Sequence, residues 1–280
     1  MSNINKYYKE KDYAEWLLKQ RKLDNNASSD LRILGKYYKS QDKSYDEVEK
    51  LLYDFCEKKY KSWFNKVTHY RLIDSVINYI KKPENKLVQI KKVNISNSEI
   101  DYLESLNYEH FEKKILFSLL TFDKLKHEKA KIRGTENEEL HYFGGSGEYS
   151  YKTLLDSLQE KITRTYREKG IHKTIKMFND DGLTRTTQKT ALELLFIKQT
   201  DQDDSVAIEI NDFETIGLYY EAYHGNQKVK WCEECGEKLI KITSSTKKLC
   251  KDCYDKLRIQ QNKEKSLRYY HKNKTLPNDK

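Results

Sequence analysis

Residues 171–186 read IHKTIKMFNDDGLTRT, and this stretch decides the fold that we expect for the middle of the chain. Ile171, Ile175 and Phe178 recur at the spacing of one helix face. Gly182 follows, and glycine readily takes the left-handed conformation with which many helices end. Leu183 and Arg185 then alternate as in a strand, with Leu183 directed to the core and Arg185 to solvent. The stretch predicts an amphipathic helix, a glycine turn and a strand.

The surrounding sequence extends this pattern in both directions. Helical patterns begin near Glu109 and Tyr151, and two strand patterns follow at 183–197 and 206–210. Three helices followed by two strands resemble a winged helix, in which the third helix enters the major groove and the wing touches phosphates. The resemblance implies these candidate DNA contacts: His172, Lys173, Thr174, Lys176 and Arg185. A helix followed by a hairpin is also a generic pattern, and winged helices serve as protein–protein modules too.

The first 104 residues predict a helical bundle. Ser44 with Glu47, and Ser96 with Glu99, have the spacing of capping boxes. Apolar residues at 72–80 form a helical stripe that stops before Pro83. Residues 87–95 alternate and predict a short strand or an extended linker, and Asp30 is placed to cap a short helix over 31–37.

The C-terminal part contains two paired cysteine motifs. The pattern is C-x2-C-x14-C-x2-C, formed by Cys232, Cys235, Cys250 and Cys253. Four thiolates at this spacing predict a closed, structural Zn²⁺ site. Two disulfides or a redox CxxC are the alternatives, and the lack of a secretory signal disfavours both. Cys56 lies on an apolar helix stripe and is expected to be a buried small hydrophobe.

The formal net charge is +9, from 53 basic and 44 acidic residues, but the excess is local. Ten Lys or Arg and three acidic residues lie within 247–274, so most of the excess belongs to a C-terminal arm. Basic residues interleaved with tyrosines suit phosphate contact and base stacking, although a lysine-rich tail is often only solvated. The candidate nucleic-acid contacts are Lys247, Lys248, Lys251, Lys256, Arg258, Lys263, Lys265 and Arg268.

This C-terminal region resembles the zinc-ribbon tails of uncharacterised phage, prophage and mobile-element proteins of low-GC Gram-positive bacteria. The shared features are Cys235-Gly236, a polar loop at 242–248, the second knuckle at 249–253 and the basic helix after it. Tyr254 departs from the small residue common at that place. The resemblance implies a phage or mobile-element origin and therefore a bacterial host cytoplasm.

Together these patterns predict a mainly α protein with small β elements, in the α+β class. We expect a helical bundle at 1–104, a winged-helix-like domain at 105–228, and a zinc ribbon with a basic helix at 229–280. No apolar run is long enough to span a membrane, and the N-terminus has no signal-peptide core, so a soluble cytoplasmic protein is expected.

The function expected from the sequence is nucleic-acid binding without catalysis, with double-stranded DNA as the partner and a regulatory or replication-associated role. No phosphate-binding loop, HExxH or GxSxG motif is present. One alternative is a protein-interaction module whose N-terminal bundle binds and inhibits a host factor such as a defence-system or polymerase component. A metal-dependent nuclease hidden in the middle domain is a second alternative. The sequence also leaves a homodimer open.

Overall fold

The computed structural model describes residues 5–20, 27–60, 64–135, 141–144, 147–187, 191–199, 205–225, 230–234, 238–239 and 248–274. The described chain is mainly helical with a few short antiparallel strands, which confirms the α+β class. It divides into two compact units, Met1–Gly217 and Leu218–Lys280. The boundary predicted near residue 104 therefore lies inside a compact unit.

The first unit begins with a group of helices, of which all except the first share one apolar core. They are α1 (Asn5–Tyr8), α2 (Glu10–Lys19), α3 (Ala27–Lys39), α4 (Tyr45–Lys59) and α5 (Tyr70–Ile80). Leu17, Leu34, Leu52 and Val76 are fully buried between them. Both partners of the Ser44 capping box are present at the start of α4.

The prediction that Asp30 caps a short helix was wrong. Asp30 lies inside the first turn of α3, which already begins at Ala27. Its buried carboxylate accepts hydrogen bonds from Lys6 at 2.9 Å and from Tyr13 at 3.1 Å. Long-range partners from α1 and α2 thus take the oxygens that a cap would offer to the backbone.

A two-stranded antiparallel sheet connects distant parts of the first unit. Strand β1 (Val93–Ser96) pairs with β5 (Val206–Ile210), so that Val93 lies opposite Ile210. The sequence predicted the strand at 206–210 but assigned it to the wing, and that assignment was wrong. Buried Ile95, Ile208 and Ile210 explain the pairing, because the two strands bury their apolar positions on the same side.

The middle of the first unit contains three helices and a three-stranded sheet. After α6 (Asn97–Ser105), the elements are α7 (His110–Arg133), β2 (Tyr142–Phe143), α8 (Tyr151–Ser157), α9 (Ile171–Asp180), β3 (Thr184–Thr186) and β4 (Leu192–Leu194). The sheet order is β2-β4-β3, and both pairings are antiparallel. The predicted single strand at 183–197 is therefore a hairpin, and residues 142–143 form the third strand of the sheet.

Gly182 forms the connection from α9 to β3 as the sequence predicts. Its φ is +74°, in the left-handed region that glycine occupies without strain. The amide of Leu183 donates to the carbonyl of Phe178 at 2.9 Å, which closes the end of the helix. Leu183 is buried and Arg185 is exposed, as expected.

The second unit holds two short strands and a long helix. α10 (Ile216–Tyr223) contains the point at which the chain divides, and β6 (Lys230–Trp231) pairs with β7 (Lys238–Leu239) before α11 (Lys251–Lys274). Its apolar cluster consists of Cys232, Leu239, Cys250 and Cys253, with Leu249 packed against them. None of the described helices has both the length and the apolar character that a membrane crossing requires.

Candidate metal centre and nucleic-acid interface

Three of the four predicted zinc ligands come together in the second unit. Cys232 directly follows β6, Cys250 directly precedes α11, and Cys253 lies in the first turn of α11. Their Sγ atoms lie within 4.8 Å of one another, and all three side chains are buried. These cysteines could hold a metal ion. Cys235, the fourth predicted ligand, lies outside the described residues.

Backbone hydrogen bonds favour the thiolate form of this cluster. The amide of Cys250 donates to the Sγ of Cys232 at 3.3 Å, and the amide of Cys253 donates to the Sγ of Cys250 at 3.4 Å. Hydrogen bonds to a charged group stabilise its charged form, and the thiolate is the form that binds metal. The three cysteines are free of disulfides, in contrast to the disulfide alternative.

Cys56 is also a buried free cysteine, but it lies outside this cluster. It is fully buried in the N-terminal bundle, and burial raises the pKa of its thiol to about 12. No thiolate therefore forms there near neutral pH. The prediction of a buried small hydrophobe at Cys56 is confirmed.

The basic helix α11 exposes its side chains from Tyr254 to Tyr269. At 3.6 residues per turn, several basic and aromatic residues share one face of this helix. We call this face the α11 stripe, and its members are Tyr254, Arg258, Gln261, Lys265, Arg268 and Tyr269. Asp255 and Glu264 lie off the stripe, so its described charges are all positive.

The other basic residues predicted in this region have different surroundings. Lys256 and Lys263 are exposed on another side of α11. Lys248 is exposed and pairs with Glu233 at 3.0 Å. Lys247 lies outside the described residues, and so does the side chain of Lys251. The described cations of α11 are therefore free to meet solvent or a polyanion.

The exposed side of α9 carries a row of basic side chains. His172, Lys173 and Lys176 are exposed there, as the sequence predicted. Lys169, in the π-helical turn Tyr166–Gly170 that leads into α9, is also exposed and was not among the predicted contacts. These four residues form the α9 face.

Thr174 is placed differently from the expectation. It is 7% exposed, and its hydroxyl lies 2.7 Å from the hydroxyl of Tyr166 and donates to the carbonyl of Gly170. Tyr166 can lie against α9 because Gly170 has no side chain. A Cβ at Gly170 would meet the Tyr166 ring at 2.4 Å. Thr174 therefore supports the helix from inside and does not belong to the α9 face.

Arg185 extends from β3 and pairs with a neighbouring strand. Its Nε and Nη2 atoms donate to the same oxygen of Glu193, at 2.8 and 2.5 Å. The Arg185 side chain remains 68% exposed, whereas that of Glu193 is 10% exposed. The partial neutralisation by Glu193 makes Arg185 a weaker candidate for phosphate contact than the α9 lysines.

A buried cluster that the sequence analysis missed joins α7 to β2. The Oδ2 of Asp123 lies 2.7 Å from the Nδ1 of His141 and 3.3 Å from that of His127. Asp123 and His127 are four residues apart on α7, and His141 precedes β2. The signal present in the sequence was the i, i+4 pair alone, since nothing local indicates the approach of His141.

The electrostatics of this cluster are those of an ion pair. Burial raises the pKa of the Asp123 carboxyl, but hydrogen bonds from His127 and His141 outweigh it and hold the pKa below its ordinary value. The bond to Asp123 raises the pKa of His127 above its ordinary value. The distances would also suit a metal ion. The Nδ1 of His141 nevertheless lies at hydrogen-bond distance from the carboxylate, and the Nδ1 of His127 lies 3.0 Å from the backbone carbonyl of Asp123 as well as 3.3 Å from the carboxylate, as in a charged hydrogen-bond network.

These two clusters are the groups of three or more His, Cys, Asp or Glu donors that lie this close together within the described part of the chain. Neither is a cluster of carboxylates, so the nuclease alternative gains no support there. Comparisons with protein-family models, with curated proteins and with solved structures found no match. The functional argument therefore rests on the geometry of this chain.

Proposed function

We propose that the protein binds double-stranded DNA, and that the segment from α7 to β4 is a winged helix. The order α7-β2-α8-α9-β3-β4, with the antiparallel sheet β2-β4-β3, supports this proposal. In that fold α9 is the third helix, which enters the major groove. The hairpin of β3 and β4 is then the wing.

The α9 face carries the proposal. Lys169, Lys173 and Lys176 lie on its exposed side, while Ile171, Ile175 and Phe178 fix the opposite side in the core. A helix held rigidly on one side and basic on the other can approach the phosphate backbone without rearrangement. Asp180 and Asp181 are exposed at the end of α9 and limit the contact to its first turns.

The second unit supplies a second proposed contact. Four thiolates, from Cys232, Cys235, Cys250 and Cys253, would bind Zn²⁺ in a closed structural site. The metal would fix the first turn of α11, because Cys250 and Cys253 flank the start of that helix. The α11 stripe would then contact phosphates with its arginines and lysine and stack its tyrosines on bases or sugars.

The deciding experiment compares two pairs of charge reversals. K173E/K176E alters the α9 face, whereas K50E/K58E makes the same charge change at exposed lysines of α4. We expect the first pair to weaken binding of a labelled duplex at least about tenfold and to reduce the salt slope by about two, since each phosphate contact contributes about one. The control pair should change affinity much less.

Fluorescence anisotropy at several salt concentrations measures both quantities. Equal losses of duplex affinity in the two double variants would show that only net charge matters. They would contradict the placement of α9 in the interface. Duplex DNA, single-stranded DNA and RNA of matched length are compared in the same assay. Tighter binding of either other polymer would contradict the choice of double-stranded DNA.

A further inference from the structure

The first unit contains a cavity of about 270 Å³ with a strongly charged wall. Its lining comes from α1 to α3, α5, the last turns of α7 and Glu148 of a short 3-10 helix. The cavity thus lies between the N-terminal bundle and the long helix of the middle segment. Ligand sites are common at such junctions.

Three lysines of this cavity each have a carboxylate partner. The pairs are Lys6 with Asp30 at 2.9 Å, Lys36 with Glu10, and Lys129 with Glu148 at 2.7 Å. All three lysines are buried. Pairing of this kind is what allows charged groups to remain in a protein interior.

Two arginines of the same cavity lack such a partner. The Nε atoms of Arg32 and Arg133 are buried and have no hydrogen-bond partner among the described residues. Arg32 packs its guanidinium over the ring of Tyr79, at 4.7 Å from the ring centroid. The carboxylates of Glu10 and Glu148 in the same lining pair with Lys36 and Lys129, so among the described residues the two half-buried arginines have no acidic partner of their own.

The surrounding lysines respond to this excess of positive charge. Burial lowers the pKa of Lys36, and the charges of Arg133 and Lys129 act in the same direction against the opposing effect of Glu10. Burial also lowers the pKa of Lys129, with Glu148 opposing and Arg133 adding to the decrease. The cations therefore lie close enough to repel one another across the cavity.

We propose that this cavity binds the phosphoryl group of a small phosphorylated ligand, held by Arg32 and Arg133. Arginine presents several N–H donors in a planar fork that matches phosphate oxygens. A cavity of this size lies near the lower end of ligand-pocket volumes and suits a single small ligand. Tyr7 and Tyr79 line the same wall and give the remainder of the ligand an aromatic surface.

The test uses the full-length protein with inorganic phosphate and, separately, a nucleoside monophosphate. Titration calorimetry and thermal unfolding are measured against chloride at equal ionic strength. We expect both phosphates to raise the Tm of the wild type, and the R32Q and R133Q variants to bind at least about tenfold more weakly. Tighter binding of the nucleoside monophosphate identifies a phosphorylated metabolite as the ligand, and equal binding identifies phosphate itself.

R71Q is the matched control. Arg71 is exposed on α5 and also lies over a tyrosine ring, that of Tyr70, but it is outside the cavity. It should leave phosphate binding unchanged. Phosphate that stabilises the protein no more than chloride does would overturn the proposal, and so would undiminished binding by R32Q/R133Q.

The double variant also separates a ligand site from a structural role. Removal of two half-buried cations that repel Lys36 and Lys129 should leave the Tm without phosphate unchanged or higher, whereas a structural pair of arginines would lower it. The variant should bind duplex DNA as the wild type does, because neither arginine belongs to the α9 face or the α11 stripe. If R32Q/R133Q abolished duplex binding instead, the cavity would be part of the polymer interface and the proposal would fail.

Discussion

Helices α7 and α11 each have 24 residues, yet they relate to their surroundings in opposite ways. α7 buries an unbroken series from Lys114 to Asp123, whereas every α11 side chain from Tyr254 to Tyr269 is exposed. Tertiary packing therefore holds α7 in place. α11 relies on its own helix propensity and on the cysteines at its first turn. α7 therefore organises a core, whereas α11 presents a charged surface.

The largest expected effect concerns the cysteines. Metal removal by a chelator under reducing conditions, or the C250S substitution, should destabilise the cysteine cluster by an amount on the order of 10 kcal/mol, the scale of small zinc modules. Hydrogen exchange should then become fast at the start of α11, while the amides of α7 keep their protection. Mass spectrometry of the native protein measures the metal content in parallel.

C56A is the matched control for this experiment, because Cys56 is a buried cysteine of the N-terminal bundle. Its metal content should equal that of the wild type. If the amides of α11 were equally protected from hydrogen exchange with and without metal, this helix would not need the cysteine cluster. The cluster would then not explain how α11 differs from α7.

The second-largest expected effect is on the free energy of unfolding, measured for a side-chain truncation on α7 and one on α11. Phe117 of α7 is fully buried, so F117A should lower the free energy of unfolding by about 3 to 5 kcal/mol. Leu267 of α11 is 58% exposed, and L267A should change it by no more than about 0.5 kcal/mol. Denaturant unfolding of both variants measures the difference. Similar costs at the two sites would mean that α11 is covered in solution by a partner.

The capping boxes and helix α7 show how far sequence reasoning reaches in this chain. The capping boxes at Ser44 and Ser96 were predicted correctly because both partners lie within one helical turn. The second half of α7 is rich in charged residues, a pattern typical of a solvated helix face. Lys129 is nevertheless buried there, because Glu148 approaches from another element. A charge pattern alone does not contain the position of a distant partner.

In the candidate sites too, the sequence predicted local contacts and did not predict contacts between distant elements. The cysteine spacing predicted the approach of Cys232, Cys250 and Cys253, since a paired CxxC pattern places thiols around one centre. The pairing of β1 with β5, the approach of His141 to Asp123 and the cavity around Arg133 depend on contacts between elements far apart in sequence. Local periodicity assigns such residues to a face of an element and leaves their partners undetermined.

The smallest expected effect is a pH dependence of the free energy of unfolding. It comes from the buried charge of Asp123 on α7 and is compared with the exposed charges of α11. Because the pKa of Asp123 is lowered by folding, its stabilisation is present above about pH 4 and is lost as the pH falls through the folded value. The pKa of His127 is raised, so its stabilisation is full below about pH 6.5 and is lost as the pH rises through the folded value. Both contributions are complete only between these limits.

H127Q should therefore cost about 2 kcal/mol near pH 5.5, the scale of a hydrogen bond to a charged group, and clearly less near pH 8.5. K265Q on the α11 stripe and H172Q on the α9 face replace exposed residues, and each should change the free energy of unfolding by no more than about 0.5 kcal/mol. Unfolding curves at the two pH values measure the change. A cost of H127Q that is equal at both values would mean that His127 is neutral when it meets Asp123. The buried charge of α7 would then be compensated by His141, which approaches the same carboxylate oxygen more closely.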